Sequence, residues 1–136
     1  MITMNELLGN KYKLEDQTDS IQTNLNILLN KANQLRTLWG KPMVITSGLR
    51  DRADQIRIYT AKGVTDESKM HMGSMHFRGS ACDISDPDGS LKKFVKANDY
   101  KILVDIGLWM EAESATPNWL HIQTAPPLSR KREFMP

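Results

Sequence analysis

"SMHFRGSACDISD", residues 74–86, gathers His76, Gly79, the single cysteine Cys82 and the aspartates Asp83 and Asp86 into one short stretch. Its reading decides the fold. It is either part of a metal site or a turn between two strands, and local sequence leaves both open. A catalytic zinc takes three protein ligands, usually histidine with an occasional carboxylate, and keeps a fourth position open. The chain offers His71, His76 and His121. Asp83 follows His76 at a distance that lets the chain turn and present both side chains to one point. Gly79 and Ala81 between them are small, as a tight turn with close backbone approach requires.

Working outward, Ala81 to Ile84 reads as a short strand, and Asp86-Pro87-Asp88-Gly89 as a turn. Ser90 then caps a helix with Leu91, Phe94 and Val95 inward, and a second helical stretch runs to about Ile106, closed by Gly107. Leu108 to Glu111 and Trp119 to Gln123 read as the strands of a late hairpin. In the second of these, alternation puts Trp119, His121 and Gln123 on one face and Leu120 and Ile122 on the other. Upstream, Ile21, Leu25, Leu28, Ala32, Leu35 and Leu38 recur at helical spacing from Ser20, and Gly40 with Pro42 ends that helix. Met43 to Thr46 reads as a strand, and Asp51 caps a short helix carrying Ala53, Ile56 and Tyr59. Residues 64–73 read as a loop. Helices and strands without a βαβ rhythm predict an α+β domain over 20–136, with residues 1–19 as a polar arm lying on it.

Composition excludes other classes. The 136 residues carry 18 basic and 16 acidic side chains, a net charge of +2, too balanced for a nucleic-acid binder. The cluster Arg130, Lys131 and Arg132 reads as a solvated tail. One cysteine rules out an intramolecular disulfide and a cysteine-based zinc finger. No stretch has the length of a membrane span or the form of a signal peptide. The expectation is a monomer made in cytoplasm, with no nucleic-acid or membrane partner.

The pattern Ser74-x-His76-x-x-Gly79-x-Ala81-x-Asp83, followed by Trp119-x-His121, resembles the zinc D-Ala-D-Ala carboxypeptidase family. Those enzymes and the related phage L-alanyl-D-glutamate endolysins share a fold with the Hedgehog signalling domain. The likeness is greatest to small phage and prophage members, in "IQTNLNILLNKANQLRTLWGKPMVITSGLR" (residues 21–50) and "WLHIQTAPPLSRKREFMP" (residues 119–136).

The resemblance implies a small antiparallel sheet packed against helices and one zinc ion held by His76, Asp83 and His121. It also implies a glutamate shortly before the last histidine that carries the proton of the attacking water. Glu111 and Glu113 both qualify; Glu111 is favoured because it ends a strand, whereas Glu113 falls in the loop. The spacing to His121 is longer than in many relatives. Arg50, in Ser47-Gly48-Leu49-Arg50, matches a family arginine and would bind a substrate carboxylate or stabilise an oxyanion; its plain reading is a surface arginine beside Asp51. Ser74 would touch substrate or brace the turn. His71 reads as an exposed loop residue, Asp86 as a turn residue or an orienter of a ligand, and Cys82 as a core residue. Met70, Met72 and Met75 crowd the approach to the motif and read as a tolerant loop or as apolar lining of a cleft. The implied activity is hydrolysis of peptidoglycan stem peptides, of D,D-carboxypeptidase or L,D-endopeptidase type. The setting would be phage lysis or entry, on the cell wall after release or from the virion. A non-enzymatic metal-stabilised binding or phage structural module on the same fold is the alternative.

Overall fold

The computed structural model describes residues 1–70 and 74–136; His71 and Met72, singled out above, lie outside the described residues. The chain is α+β, as the absent βαβ rhythm predicts. Five strands form one sheet in the order β1-β2-β4-β3-β5: β1 Ile45–Ser47, β2 Ala81–Ser85, β3 Trp109–Glu111, β4 Trp119–Gln123 and β5 Glu133–Phe134. All pairs are antiparallel except β3 with β5. The late hairpin is β3–β4, with Met110 opposite Ile122. Among the strands of the described residues β5 alone escapes the sequence reading, because two residues carry no detectable alternation.

Alternation gives the sheet two chemically different faces. Cys82, Ile84, Met110, Leu120 and Ile122 are fully buried and join the core. The helices supply the other side of that core. From α2 (Asp19–Trp39) come Leu25, Leu28, Ala32 and Leu35, and from α4 (Ser90–Ile106) come Leu91, Val95 and Leu103. The opposite face carries Asp83, Glu111 and His121. α2 ends at Gly40 as expected, although Leu38 of its predicted apolar face is largely exposed.

Residues 1–19 are more than polar covering. Thr3 and Glu6 form a reciprocal capping box that starts α1 (Met4–Leu8). Leu7 and Leu8 are buried with Ile2 in the common core, and Asn33 on α2 brackets the Ile2 backbone, accepting from its N–H at 2.8 Å and donating to its carbonyl at 3.0 Å. Gly48 explains how closely this segment fits. A Cβ there would lie 2.1 Å from the Leu7 carbonyl oxygen, which accepts the Leu49 N–H at 2.8 Å.

Three local readings are corrected. The N-terminus of α4 is capped by aspartates rather than by Ser90: Asp86 accepts the N–H groups of Leu91 and Lys92 at 3.0 and 2.9 Å, and Asp88 accepts that of Ser90 at 3.0 Å. In α3 (Arg52–Ala61), capped by Asp51 as expected, Ala53 is exposed and Gln55 is the buried residue. In the basic cluster, Arg130 and Lys131 are exposed, but Arg132 stacks 4.2 Å over the Trp109 ring and donates to the Leu108 carbonyl at 2.9 Å. The two predicted stretches of α4 are also visible. Helical geometry fails at Ala97–Tyr100, where Asn98, Asp99 and Tyr100 all have positive φ. That turn aims the Tyr100 hydroxyl at Glu133 of β5, 2.6 Å away, and Lys96 meets the same carboxylate at 3.0 Å.

Candidate metal centre

Strand register creates the first half of the site. Asp83 and His121 are directly opposed across β2 and β4, and Ser47 of β1 is opposite Asp83 on the other side. His76 comes from a single 3₁₀ turn, Met75–Arg78, just before β2. Ser74 starts that turn by accepting the His76 N–H at 3.2 Å, and Gly79 ends it at φ +71°. Gly79 lies against α2, where a Cβ would come 2.8 Å from Leu25 Cγ. Both the left-handed backbone and the lack of space therefore require glycine.

The neighbours of each imidazole fix which nitrogen faces the centre. His76 Nδ1 donates to the Gly48 carbonyl at 2.8 Å, turning Nε2 toward Asp83 Oδ1 at 3.4 Å. Gln123 uses its own amide nitrogen on the Ala125 carbonyl at 2.8 Å, so its oxygen is what faces His121 Nε2 at 2.9 Å. His121 Nε2 therefore carries the hydrogen, and Nδ1 points to Asp83 Oδ1, 2.9 Å away. Nε2 of His76, Nδ1 of His121 and a carboxylate oxygen of Asp83 thus converge, with one such atom from each residue within 4.8 Å of the others.

This donor set fits a cation. Three buried electron-pair acceptors turned on one point repel each other unless a proton or metal lies between them. Burial opposes ionisation of both partners, and the interactions override it. His121 keeps its pKa above the ordinary value through its bond to Asp83 and the charges of Glu111 and Asp83. Asp83 is held well below the usual carboxylate range by His121 and His76. Two imidazoles and one carboxylate also match the ligand types and number of a catalytic zinc, and the second hydrogen bond on each ring is what orients such ligands. Cys82 points into the core, where burial pushes its thiol pKa up, so it stands outside the ligand set.

The remaining candidates separate by position. Glu111 ends β3 with a carboxylate oxygen 3.5 Å from His121 Nδ1. Glu113 points away: its side chain is half exposed and pairs with Lys96 at 3.5 Å. Arg50 is no loose surface residue. Its Nε donates to Ser47 Oγ at 2.9 Å, Nη1 reaches Gln55 Oε1 at 3.5 Å and Nη2 reaches Asp83 Oδ2 at 3.4 Å. Those partners use three of the five N–H groups of a guanidinium, counted among the described residues. Asp86 is spent on capping α4. Sequence reasoning missed Gln123 and Gln55 as site residues; for Gln123 the signal was present, since it shares a strand face with His121. A cleft of about 450 Å³ opens over these groups, lined by Arg50, Tyr59, Lys62, Ser74, Glu111 and Trp119 among others.

A family model described as peptidase M15 matches residues 1–123. The chain belongs to the peptidase M15 family. This is the zinc D-Ala-D-Ala carboxypeptidase family that the His76, Asp83 and His121 motifs resemble, and membership makes the protein a metallopeptidase with a peptide substrate. No curated protein and no solved structure matches the chain significantly. Among the described residues no helix is long and apolar enough to cross a membrane.

Proposed function

We propose that this M15 peptidase hydrolyses peptide bonds in peptidoglycan stem peptides, in the lysis or entry machinery of a phage or prophage. The observation that carries the catalytic part is the convergence of His76, Asp83 and His121 on one point with the Glu111 carboxylate beside it. The first three would hold one zinc ion. Zinc, when bound, supplies Lewis acidity and lowers the pKa of a water to about 7.

Protein groups do the rest. Glu111 would take a proton from the attacking water and return it to the leaving amine, a role supported by its carboxylate lying 3.5 Å from His121 Nδ1. Glu111 ends strand β3, whereas Glu113 opens a 3₁₀ turn (Glu113–Ala115) rather than the loop expected and pairs with Lys96. Arg50 is held by Ser47, Gln55 and Asp83 and lines the cleft. There it would stabilise charge developing on the carbonyl oxygen or bind a substrate carboxylate bidentately. Lys62 lines the same cleft and adds positive potential. Ser74 braces the His76 turn and its side of the cleft is open to substrate.

Purified peptidoglycan digested with wild type, His121→Ala and Glu111→Gln, with products identified by mass spectrometry, tests the reading. New stem-peptide termini should appear with wild type alone. Intact sacculi after incubation with zinc-loaded wild type would favour the alternative, a metal-stabilised binding or structural module.

A further inference from the structure

The family match stops at residue 123, yet the chain beyond it returns to the site. Segment 124–136 doubles back and lays β5 alongside β3, the strand that carries Glu111. The Met110 N–H donates to the Arg132 carbonyl at 2.8 Å and the Ala112 N–H to the Phe134 carbonyl at 2.7 Å. Glu111 and Phe134 are register partners. The buried Phe134 ring stands edge-on to His121, with centroids 6.4 Å apart. Tyr100 and Lys96 clamp Glu133 from α4, and Arg132 is stacked on Trp109, so this strand is anchored on both sides.

The anchored segment walls a second lobe of the cleft. It has about 370 Å³ and shares Ser74, Glu111 and His121 with the first. The two lobes differ in chemistry. The first carries Arg50 and Lys62, whereas the second is lined by Met75, Pro127, Leu128, Phe134 and Met135 beside the shared groups, with no lysine or arginine among its described lining residues. Leu128 is wholly exposed and Met135 largely so, and neither belongs to the hydrophobic core. Unbranched methionines such as Met75 and Met135 adapt to aliphatic ligands of varied shape.

We infer that residues 127–135 form an apolar subsite that receives an aliphatic side chain of the peptide substrate, on the side of the scissile bond away from Arg50 and Lys62. The inference rests on the peptidase reading and adds its polarity: the anionic part of the peptide lies over the cations and the aliphatic part against Leu128, Phe134 and Met135. The occupant follows from continuity. Ser74, Glu111 and His121 line both lobes, so a peptide extending past these groups runs from the cationic lobe into the apolar one.

Two measurements separate the subsite from the activity. Zinc-loaded wild type and the double variant Leu128→Ser/Met135→Ser are assayed on paired stem-type peptides. The pair carries alanine or leucine at the position flanking the scissile bond on the apolar side. In parallel, binding of the same peptides is measured by calorimetry on Glu111→Gln with and without the double substitution. Both substituted residues are exposed, so the fold should tolerate them, and circular dichroism checks this. A hydrophobic pocket distinguishes side chains of different size by roughly 10–200-fold. The leucine peptide should bind about tenfold or more tighter than the alanine peptide, and the double substitution should erase that preference through KM rather than kcat. Preference for leucine in binding without turnover would sink the peptidase reading and keep the subsite. Turnover with equal preference in wild type and double variant would sink the subsite and keep the peptidase. Neither binding nor turnover would overturn both.

Discussion

Asp83 and His121 face each other across β2 and β4 with the carboxylate oxygen 2.9 Å from Nδ1, and each shifts the other's ionisation. Burial disfavours charge on both, yet Asp83 titrates below its ordinary range and His121 above its own. For metal-free protein this fixes the shape of the stability curve. The Asp83 contribution is fully present above its unfolded pKa of about 3.9 and is lost as pH falls through its lower folded value. The His121 contribution is fully present below about 6.5 and is lost as pH rises through its raised folded value. Thermal melts in chelator should therefore show greatest stability between about pH 4 and 6.5. His121→Phe should flatten the decline on the alkaline side. An unchanged decline in that variant would mean that another group is titrating.

Glu111 and Glu113 give opposite expectations. Glu111→Gln keeps shape and hydrogen bonding but cannot accept a proton, and should lower kcat by about 10²–10⁴ with zinc content unchanged. Glu113→Gln breaks only a half-exposed contact with Lys96, and surface ion pairs contribute about 0–1 kcal/mol. Its rate should stay within about twofold of wild type. Equal losses in the two variants, at equal zinc content, would remove the assignment of Glu111 as base.

What could be read in advance follows from how local each signal is. α2 was readable because its apolar residues recur over several turns, and β4 because Leu120 and Ile122 alternate with Trp119, His121 and Gln123. The position of Glu111 at the end of β3 was readable from the end of a short apolar run. The capping of α4 by Asp86 was hidden, since Ser90 is an equally good cap by type and only the folded turn decides. The burial of α1 was hidden too, because Leu7 and Leu8 in a five-residue helix establish no period. Phe134 reaches His121 through a parallel pairing between segments distant in sequence, which no local pattern encodes. The non-local contacts are the ones that complete the cleft.

Gln123 is expected to act on the metal without touching it. Its oxygen holds the hydrogen of His121 on Nε2, and its amide nitrogen is pinned to the Ala125 carbonyl. Gln123→Met preserves volume in a buried position but removes that acceptor, freeing the ring to flip or change tautomer. Outer partners of this kind typically contribute 10–100-fold in metal affinity. Competition with a fluorescent chelator should show zinc binding weaker by about that factor, beside a loss of about 1–3 kcal/mol in the metal-free protein from the buried His121 N–H left without an acceptor. Unaltered affinity would show that strand geometry alone orients His121.

Gly48 links the N-terminal segment to the site and gives the sharpest test of that link. Its carbonyl accepts from His76 Nδ1, and its α-carbon abuts the Leu7 carbonyl so closely that a Cβ would lie 2.1 Å from the oxygen. Gly48→Ala must push α1 and β1 apart, and overpacking of this kind costs about 1–3 kcal/mol. Leu7→Ala, by contrast, opens a void in the core and costs about 2–5 kcal/mol without pressing on Gly48. Both variants should unfold at lower denaturant concentration. Only Gly48→Ala should also weaken zinc binding, because displacing its carbonyl releases His76 from the orientation that points Nε2 at Asp83. Equal zinc affinity in the two variants would mean that His76 is held by its own 3₁₀ turn and that the Gly48 contact is incidental.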